Sequence, residues 1–347
     1  MIEPPKTLGQ LVDEALSERQ GLPNQDLVRR LYRIASDISA DEFDRLDLKI
    51  LTASLRELEY ALRAFRPYRS RKKATIFGSA RTGRDHPDYR LAHELGGYLA
   101  SESWMVVTGG GPGIMKAAME GAGPGNAFGV GIALPFEQKD DERFDEYIRV
   151  EMKYFFTRKV MLVKESHAFF ALPGGLGTMD EVFEVLTLMQ TGKAQLAPVI
   201  LVQDPRWDHY GPLMDYFRDV LIPSGYISPN DLSLLSLYED PKSAAEEAVG
   251  FYENYHSMRW VGDSLILRLQ ELPTNGELAS LRERFRDITT GEALVPTEPL
   301  PAEIADGDEI SLPRLRVAFN RRDYARLREL IDALNGRSRP TWKRSIQ

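Results

Sequence analysis

The fold is decided by residues 157–188, which read TRKVMLVKESHAFFALPGGLGTMDEVFEVLTL. This stretch predicts a short helix that carries Arg158 and Lys159, then a buried strand over His167–Leu172, then a glycine turn that opens a second helix. The turn, Pro173–Thr178, contains three glycines. Glycine lets backbone N–H groups approach a ligand without obstruction by a Cβ atom, and a helix start carries a positive partial charge. The turn is therefore predicted to bind an anion.

Outside this stretch, short apolar strands alternate with helical patterns from Lys73 onward. The predicted strands cover Ala74–Gly78, Met105–Thr108, Ala127–Leu134, Tyr147–Val150, His167–Leu172 and Pro198–Val202, and the other predicted helices cover Tyr89–Ala100, the segment after Gly113, His209–Leu221 and Pro241–His256. A charged loop up to Glu146 separates the third and fourth strands. This alternation predicts an α/β fold, a Rossmann-like doubly wound parallel sheet with helices on both faces.

A helical N-terminal extension precedes the sheet. Residues 6–66 contain three amphipathic patterns, with a turn over Gly21–Asn24 between the first two. Ser39 and Glu42 match a capping box at the start of the third helix. We expect this extension to pack on the main domain or on a partner subunit.

The C-terminal extension has a less regular pattern. The segment WVGDSLILRL, from Trp260, fits a strand or a buried helix, and residues 288–313 hold four prolines, six carboxylates and no Lys or Arg, which indicates an extended acidic strap or linker. Leu312–Leu334 reads as a largely basic helix ended by Asn335 and Gly336. We therefore divide the chain into a helical N-terminal extension (1–72), a Rossmann-like domain (73–257) and an irregular or helical C-terminal extension (258–347).

Composition limits the function classes. The chain has no cysteine, which excludes disulfides, thiolate metal sites and cysteine nucleophiles. Its five histidines show no HxH or HxxxH spacing, so no metal site is predicted. A formal net charge of −8 argues against sequence-independent binding to nucleic acid, because such binding uses many Lys and Arg side chains to neutralise phosphates.

The distribution of apolar residues bears on location. Apolar residues make up 43% of the 347 positions, enough for one large core with smaller attachments. No segment approaches 18 uninterrupted apolar residues, and the N-terminus MIEPPKTLGQ lacks the basic and apolar regions of a signal peptide. We expect neither a membrane span nor export, and a cytoplasmic location.

Three glycine turns follow three of the predicted strands. They are Gly78-Ser79-Ala80-Arg81, Gly109-Gly110-Gly111-Pro112-Gly113 and Pro173-Gly174-Gly175-Leu176-Gly177-Thr178. Ligands of open parallel sheets bind beyond the carboxyl ends of the strands, so the turns are expected to face one crevice. None matches GxGxxG followed by an acidic residue, nor GxxxxGK[ST], and a monophosphate therefore fits better than a dinucleotide or a hydrolysed triphosphate. For GGGPG alone, the structural alternative is a tight strand-to-helix turn.

Charged residues beside the third turn allow two interpretations. Thr178 and Glu181 satisfy the capping-box spacing, in which the glutamate only binds the backbone at the helix start. Alternatively, a carboxylate one turn inside an anion-binding helix reaches the part of the ligand next to the phosphate, which in a nucleotide is ribose. Arg158 and Lys159 either form a solvated helix face or hold the phosphate and the sugar hydroxyls opposite Glu181.

At these residues the chain resembles the lonely-guy family, Rossmann-like proteins long mislabelled lysine decarboxylases. PGGLGTMDE, from Pro173, stands where that family has PGGxGTxxE. GGGPGIM, from Gly109, matches its GGGxxGxM turn, and TRK, from Thr157, matches its Arg-Lys pair. The closing segment from Gly225 to Tyr255 is also similar. The resemblance covers about residues 74–254, and both extensions depart from the compact members of the family.

The resemblance implies hydrolysis of the N-glycosidic bond of AMP, or of a cytokinin riboside 5′-monophosphate, to free base and ribose 5-phosphate. It implies Arg158 and Glu181 as the catalytic pair, no cofactor, and a homodimer or larger homo-oligomer. It further implies substrate-binding roles for Gly78, Ser79, Gly109, Gly110, Gly111, Gly113, Lys159, Pro173, Gly174, Gly175, Gly177 and Thr178.

Two other functions are considered. A non-catalytic carrier or sensor could use the same crevice for a nucleotide or a pterin-type cofactor, although such a protein needs the glycine turns and not the carboxylate. Amino-acid decarboxylation needs pyridoxal phosphate on a lysine. The available lysines, Lys159, Lys164 and Lys193, stand in no recognisable cofactor motif.

Overall fold

The computed structural model describes residues 8–17, 24–132, 147–291 and 294–336. The chain forms two compact units, Met1–Arg56 and Glu57–Gln347. The first unit contains the helices α1 (Leu8–Ser17) and α2 (Gln25–Ala40), and α3 (Arg45–Phe65) spans the boundary between the units. Three N-terminal helices were expected and are confirmed. Residues 21–23 of the predicted turn lie outside the described residues.

The start of α3 differs from the prediction. Asp44 Oδ1 accepts hydrogen bonds from the N–H groups of Leu46 and Asp47, at 2.6 and 2.8 Å, and so provides the cap that was assigned to Ser39. Ser39 lies inside α2, where its hydroxyl donates to Ser36 O. The capping-box prediction at Ser39 is therefore wrong, because α2 continues to Ala40 and the capping residue of α3 comes five residues later.

A seven-stranded parallel sheet forms the centre of the second unit. Its strands are β1 (Lys73–Phe77), β2 (Met105–Thr108), β3 (Ala127–Ile132), β4 (Ile148–Met152), β5 (Ala168–Ala171), β6 (Val199–Val202) and β7 (Leu235–Tyr238). Their spatial order is β4-β3-β2-β1-β5-β6-β7. From β1 the chain adds β2, β3 and β4 on one side and then β5, β6 and β7 on the other, so the order of connection reverses between β1 and β5. The predicted doubly wound α/β fold is confirmed, and the reversal between β1 and β5 is the place where such sheets bind ligands.

One strand of the sheet was missed, and part of another prediction is not tested. β7 was missed because its four residues are mostly half-buried at the edge of the sheet, so no apolar run marks them. The strand predicted over Ala127–Leu134 is described as far as Ile132, and its last two residues and the charged loop up to Glu146 lie outside the described residues.

Helices cover both faces of the sheet. They are α4 (Pro87–Ser101), α5 (Ile114–Ala122), α6 (Phe155–Lys164), α7 (Leu176–Gln190), α8 (Gly211–Tyr216) and α9 (Pro241–Gly250). α4, α5 and α9 share one apolar core with the strands, whereas α6, α7 and the end of α3 share the other. In the second core Phe65 of α3 stacks on Phe128 of β3, with ring centroids 3.8 Å apart. The predicted helix over 209–221 is divided into α8 and a turn of π-helix, and the one over 241–256 ends at Gly250.

The C-terminal extension contains an antiparallel sheet and three helices, of which only the last was expected. Its strands are β8 (Tyr255–Val261), β9 (Ser264–Leu269), β10 (Val295–Pro296) and β11 (Arg314–Val317), in the order β10-β11-β9-β8, and its helices are α10 (Asn275–Arg284), α11 (Pro301–Asp306) and α12 (Tyr324–Leu334). WVGDSLILRL is a β-hairpin that turns at Gly262, whose φ of 58° suits glycine. A single helix over 312–334 was wrong, because residues 314–317 pair with β9.

The acidic strap is fastened to this sheet. Glu303 of α11 is fully buried and lies 2.8 Å from Arg268 Nη2 and 2.9 Å from Arg314 Nη1. Asp308 binds Arg268 and Arg259, at 2.6 and 2.7 Å. The linker interpretation is therefore wrong for residues 301–308, although the three-part division of the chain stays a prediction. Among the described helices, none combines the length and the apolar character that a bilayer span requires.

Candidate functional site

A cleft of about 810 Å³ opens beyond the carboxyl ends of β1 to β5. Its described lining consists of residues 77–81, 109–112, 115, 131, 132, 149, 151, 155, 158, 162, 175–178 and 181. All three glycine turns contribute, together with Arg158 and Glu181. The expectation of one shared crevice is therefore met by the geometry, as the parallel arrangement of the strands requires.

Ser79 joins the three turns to one another. Its N–H donates to Pro173 O, at 3.2 Å, and its carbonyl accepts the N–H of Ile114, at 3.0 Å. A Cβ atom on Gly78 would lie 2.4 Å from Ile114 Cγ2, and one on Gly113 would lie 2.3 Å from Ser79 O. These two glycines are needed for the turns to pack this closely, whatever ligand the cleft binds.

The glycines of the third turn have two different roles: one allows the turn to pack closely, and two leave room for a ligand. A Cβ atom on Gly174 would lie 2.1 Å from Thr178 Oγ1, so this residue allows the turn to close. Gly175 and Gly177 have open space where a Cβ atom would stand, with no described atom within 4 Å. Both line the cleft, whereas Pro173, Gly174 and Gly113 do not. The protein itself thus gives no steric reason for glycine at 175 and 177.

The start of α7 is arranged as an anion-binding helix end. Gly175 is the N-cap residue and makes no side-chain cap, and its carbonyl accepts the N–H groups of Thr178 and Met179, both at 3.1 Å. The N–H groups of residues 175–177 have no acceptor within the described part of the chain. Unsatisfied N–H groups and a helix dipole together favour an anion at this position.

Arg158 and Glu181 form a buried ion pair inside the cleft. Arg158 Nη2 lies 3.0 Å from Glu181 Oε1, and the two side chains are 15% and 4% exposed. The Arg158 guanidinium also stands 5.1 Å from the ring centre of Phe155. Arg158 Nε and Glu181 Oε2 are buried and make no hydrogen bond to any described residue.

The capping-box interpretation of Glu181 is wrong. α7 begins at Leu176, so Thr178 is its third residue and Glu181 its sixth, too far along for the carboxylate to reach the N-cap backbone. The carboxylate pairs with Arg158 instead.

Lys159 does not line the cleft, although it was included among the substrate-binding residues. Its ammonium lies 2.9 Å from Asp180 Oδ2 and 3.5 Å from Glu181 Oε2, and it also contacts Glu184. Burial lowers the pKa of Lys159, but the hydrogen bonds to Glu184 and Asp180 outweigh burial and raise the pKa above its usual value. Lys159 therefore stays positively charged and binds carboxylates of α7 on the side of Glu181 that faces away from the cleft.

Several site residues were missed from the sequence. Arg81 belongs to the first turn but was not selected, and Arg149 and Glu151 reach the cleft from β4, which carries no glycine motif. Glu57 of α3 accepts the Thr157 hydroxyl, at 2.7 Å, and so fixes the start of α6, which carries Arg158. Only the fold could identify these residues, since each is an ordinary charged position in its own local pattern.

The described residues contain no group of three His, Cys, Asp or Glu side chains close enough to bind a metal ion. None of the described residues that line the cleft is a lysine. The donors in the cleft are backbone N–H groups, arginines and hydroxyls, which suit a phosphorylated sugar.

Comparison with known proteins gives three findings. A family model described as "Possible lysine decarboxylase" matches residues 114–248. The chain is 32% identical over 158 residues to the cytokinin riboside 5′-monophosphate phosphoribohydrolase of Mycobacterium tuberculosis, covering 44% of this chain and 81% of that protein. It is 30% identical over 166 residues to the protein of the same name from Mycobacterium marinum, covering 46% and 86%.

Among solved structures, the chain is similar to the molybdenum cofactor binding protein of Rippkaea orientalis. The two share 23% sequence identity over 51% of this chain and 94% of that chain, with a TM-score of 0.37.

Proposed function

The chain belongs to the phosphoribohydrolase family, also called the lonely-guy family, and from this premise we propose that it hydrolyses the N-glycosidic bond of a nucleoside 5′-monophosphate. The substrate is AMP or a cytokinin riboside 5′-monophosphate, and the products are the free base and ribose 5-phosphate. The observation that supports the proposal most is the buried pair of Arg158 and Glu181, which lines the same cleft as the start of α7.

The substrate phosphate is held at the start of α7. The N–H groups of residues 175–177 donate to it, and the absence of Cβ atoms at Gly175 and Gly177 lets its oxygens approach the backbone. Arg81, which also lines the cleft, adds a positive charge. The phosphate thus fixes the ribose beside Glu181, and positioning of this kind contributes much of the rate enhancement of an enzyme.

Glu181 acts on the ribose. As the N-glycosidic bond breaks, its electron pair goes to the base nitrogen and positive charge develops on the sugar, which a carboxylate in a buried site stabilises strongly. Water adds its hydroxyl group to C1′ and gives up a proton, while the departing base takes one up. The Glu181 carboxylate, which lines the cleft, accepts from a ribose hydroxyl or from the attacking water.

Arg158 orients both Glu181 and the substrate. Its Nη2 holds Glu181 Oε1, and its guanidinium group, which lines the cleft, donates to a sugar hydroxyl or a phosphate oxygen. A guanidinium group is suited to this double role because its donors lie in a fixed plane.

The residues do not fit pyridoxal phosphate, which a decarboxylase would require. That cofactor forms a Schiff base with a lysine in the active site. Lys159 lies outside the cleft and contacts three carboxylates of α7, and Lys164 pairs with Glu165, at 2.5 Å. We therefore derive no decarboxylation step for this chain.

The test is product analysis. Purified protein is incubated with AMP, and adenine and ribose 5-phosphate are quantified by chromatography. Equal amounts of both products are expected. A protein that binds AMP in calorimetry but releases no base from AMP or from other nucleotides would instead be a nucleotide or pterin-type carrier, and the proposal would be abandoned.

The proposal includes a homodimer or larger homo-oligomer and a cytoplasmic location. Light scattering coupled to gel filtration measures the first, and cell fractionation measures the second.

A further inference from the structure

The two ends of the cleft differ in chemistry. One end contains the start of α7, with its N–H donors and the nearby Arg158. The other end lies beyond β3 and β4 and presents Gly131, Arg149 and Glu151. The first end has the N–H donors of a helix start, whereas the charges of Arg149 and Glu151 oppose each other at the second, so a phosphate is favoured at the first end and the nucleotide has a preferred direction in the cleft.

Gly131 has no side chain and forms the floor of the second end of the cleft. A Cβ atom at this position would have ordinary contacts only, the nearest being Glu151 Cγ at 3.8 Å and Gly109 O at 3.9 Å. By contrast, a Cβ atom on Gly129, two residues earlier in β3, would lie 3.3 Å from Gly110 Cα. Packing explains glycine at 129 and does not explain it at 131. A strand glycine without a packing reason marks a place where a ligand approaches the backbone closely.

Gly109 connects this floor to the catalytic pair. A Cβ atom on Gly109 would lie 3.7 Å from Arg158 Nη1, on one side, and Gly109 O lies 3.9 Å from the Cβ position of Gly131, on the other. The cleft therefore runs from Glu181 and Arg158 across Gly109 to Gly131. A nucleotide with its phosphate at α7 and its ribose beside Glu181 places its base over Gly131.

Glu151 is the acceptor beside that floor. Its side chain is 45% exposed, and Arg149 Nη2 lies 3.9 Å from its Oε1, too far for a hydrogen bond. Glu151 lines the cleft, and Arg149 leaves its carboxylate able to accept a hydrogen bond from a ligand there. An ionised carboxylate only accepts hydrogen bonds, so it favours a base that presents a donor at its outer edge.

We propose that Glu151 determines base specificity by accepting a hydrogen bond from an exocyclic amino group, so that nucleoside 5′-monophosphates with an amino-substituted base, AMP foremost, are the preferred ligands. This inference rests on the proposed function for the direction of the nucleotide. A base with hydrogen in place of the amino group leaves the carboxylate without its partner, and binding weakens by the loss of one charge-assisted hydrogen bond.

The test compares AMP with purine riboside 5′-monophosphate, which has the same ring, sugar and phosphate but no amino group. Binding is measured by calorimetry in the Glu181→Gln background, so that AMP is not consumed. We expect AMP to bind about tenfold more tightly or better, and Glu151→Leu to reduce this ratio to about one. Glu102→Leu, at an exposed position outside the cleft, is the matched control and should keep the full ratio.

Equal affinities for the two nucleotides, or a ratio that Glu151→Leu leaves unchanged while the thermal midpoint stays normal, would overturn the inference. The result is independent of turnover, because the ratio is an equilibrium measurement. Failure of the wild-type protein to release adenine from AMP would contradict the proposed function and would leave the affinity ratio to decide the role of Glu151.

Discussion

Arg158 Nη2 and Glu181 Oε1 lie 3.0 Å apart, although a buried strand and a glycine turn separate the two residues along the chain. Both side chains are largely removed from water. A buried ion pair contributes little net stability, because the cost of desolvating two charges offsets most of their attraction. We propose instead a catalytic role for this pair, which lines the cleft together with the start of α7, and in which each side chain orients the other.

The two kinds of glycine in the third turn give opposite expectations. In Gly177→Ala the new methyl group has open space, and alanine is the better residue inside a helix, so the free energy of unfolding should stay the same or rise by up to about 1 kcal/mol. The same methyl group projects where the substrate phosphate approaches, and we expect AMP affinity to fall about tenfold or more. Calorimetry and thermal unfolding measure the two effects separately.

Gly174→Ala is the matched comparison. Its methyl group would lie 2.1 Å from Thr178 Oγ1, so the turn must shift, and we expect a loss of about 1 to 3 kcal/mol in stability. If Gly177→Ala destabilises the protein more than Gly174→Ala, or binds AMP with unchanged affinity, the assignment of Gly177 to phosphate binding is incorrect.

The ion pairs of the acidic strap should be essential for stability. Glu303→Ala leaves the buried guanidinium groups of Arg268 and Arg314 without their shared carboxylate, and we expect a loss of about 3 to 5 kcal/mol in urea unfolding. Asp263→Ala removes a fully exposed partner of Arg321 and should leave the unfolding midpoint unchanged. Similar unfolding midpoints for the two variants would show that the ion pairs of Glu303 do not stabilise the folded protein.

His167 should make stability depend on pH. Burial, and then the charges of Lys72 and Lys73, lower the pKa of His167 from 6.5 to about 3, whereas the unfolded chain titrates near the ordinary value. The unfolded state therefore binds more protons between these values. The associated stability is fully present above pH 6.5 and is lost as the pH falls toward 3.

The comparison is between the wild type and His167→Asn, whose Oδ1 can still accept the Lys73 N–H that His167 Nδ1 accepts at 3.2 Å. From pH 7 to pH 5 the wild type should lose about 2 kcal/mol more of its unfolding free energy than the variant does. Parallel losses in the two proteins would mean that His167 is not held neutral in the folded state.

The chain of strands and turns was predictable because each piece carries its own signal. Parallel strands such as β2 are continuous apolar runs, and the turns after β1, β2 and β5 contain glycines that close contacts require. Since the carboxyl ends of parallel strands share one edge, the sequence could also predict that these turns meet in one cleft.

The missed features depend on partners that are distant in the sequence. Residues 314–317 form a strand only because β9 is available to pair with them, and a local pattern of apolar residues cannot show this. Likewise Lys159 was expected in the cleft beside Arg158, yet consecutive helical residues point in different directions, and three carboxylates of α7 hold it outside. The sequence around Glu151 shows only a glutamate in an edge strand. Its place in the cleft follows from the pairing of β4 with β3, which puts Gly131 beside it.

The most direct test of the central claim is adenine release from AMP by Glu181→Gln, measured together with AMP affinity. The substitution keeps the shape of the side chain and removes its charge, so we expect turnover to fall by about 10² to 10⁴ while the dissociation constant for AMP changes only a few-fold. Glu184→Gln, one turn further along α7 and outside the cleft, should keep turnover within about threefold of the wild type. Wild-type turnover in Glu181→Gln, with AMP affinity intact, would contradict the account.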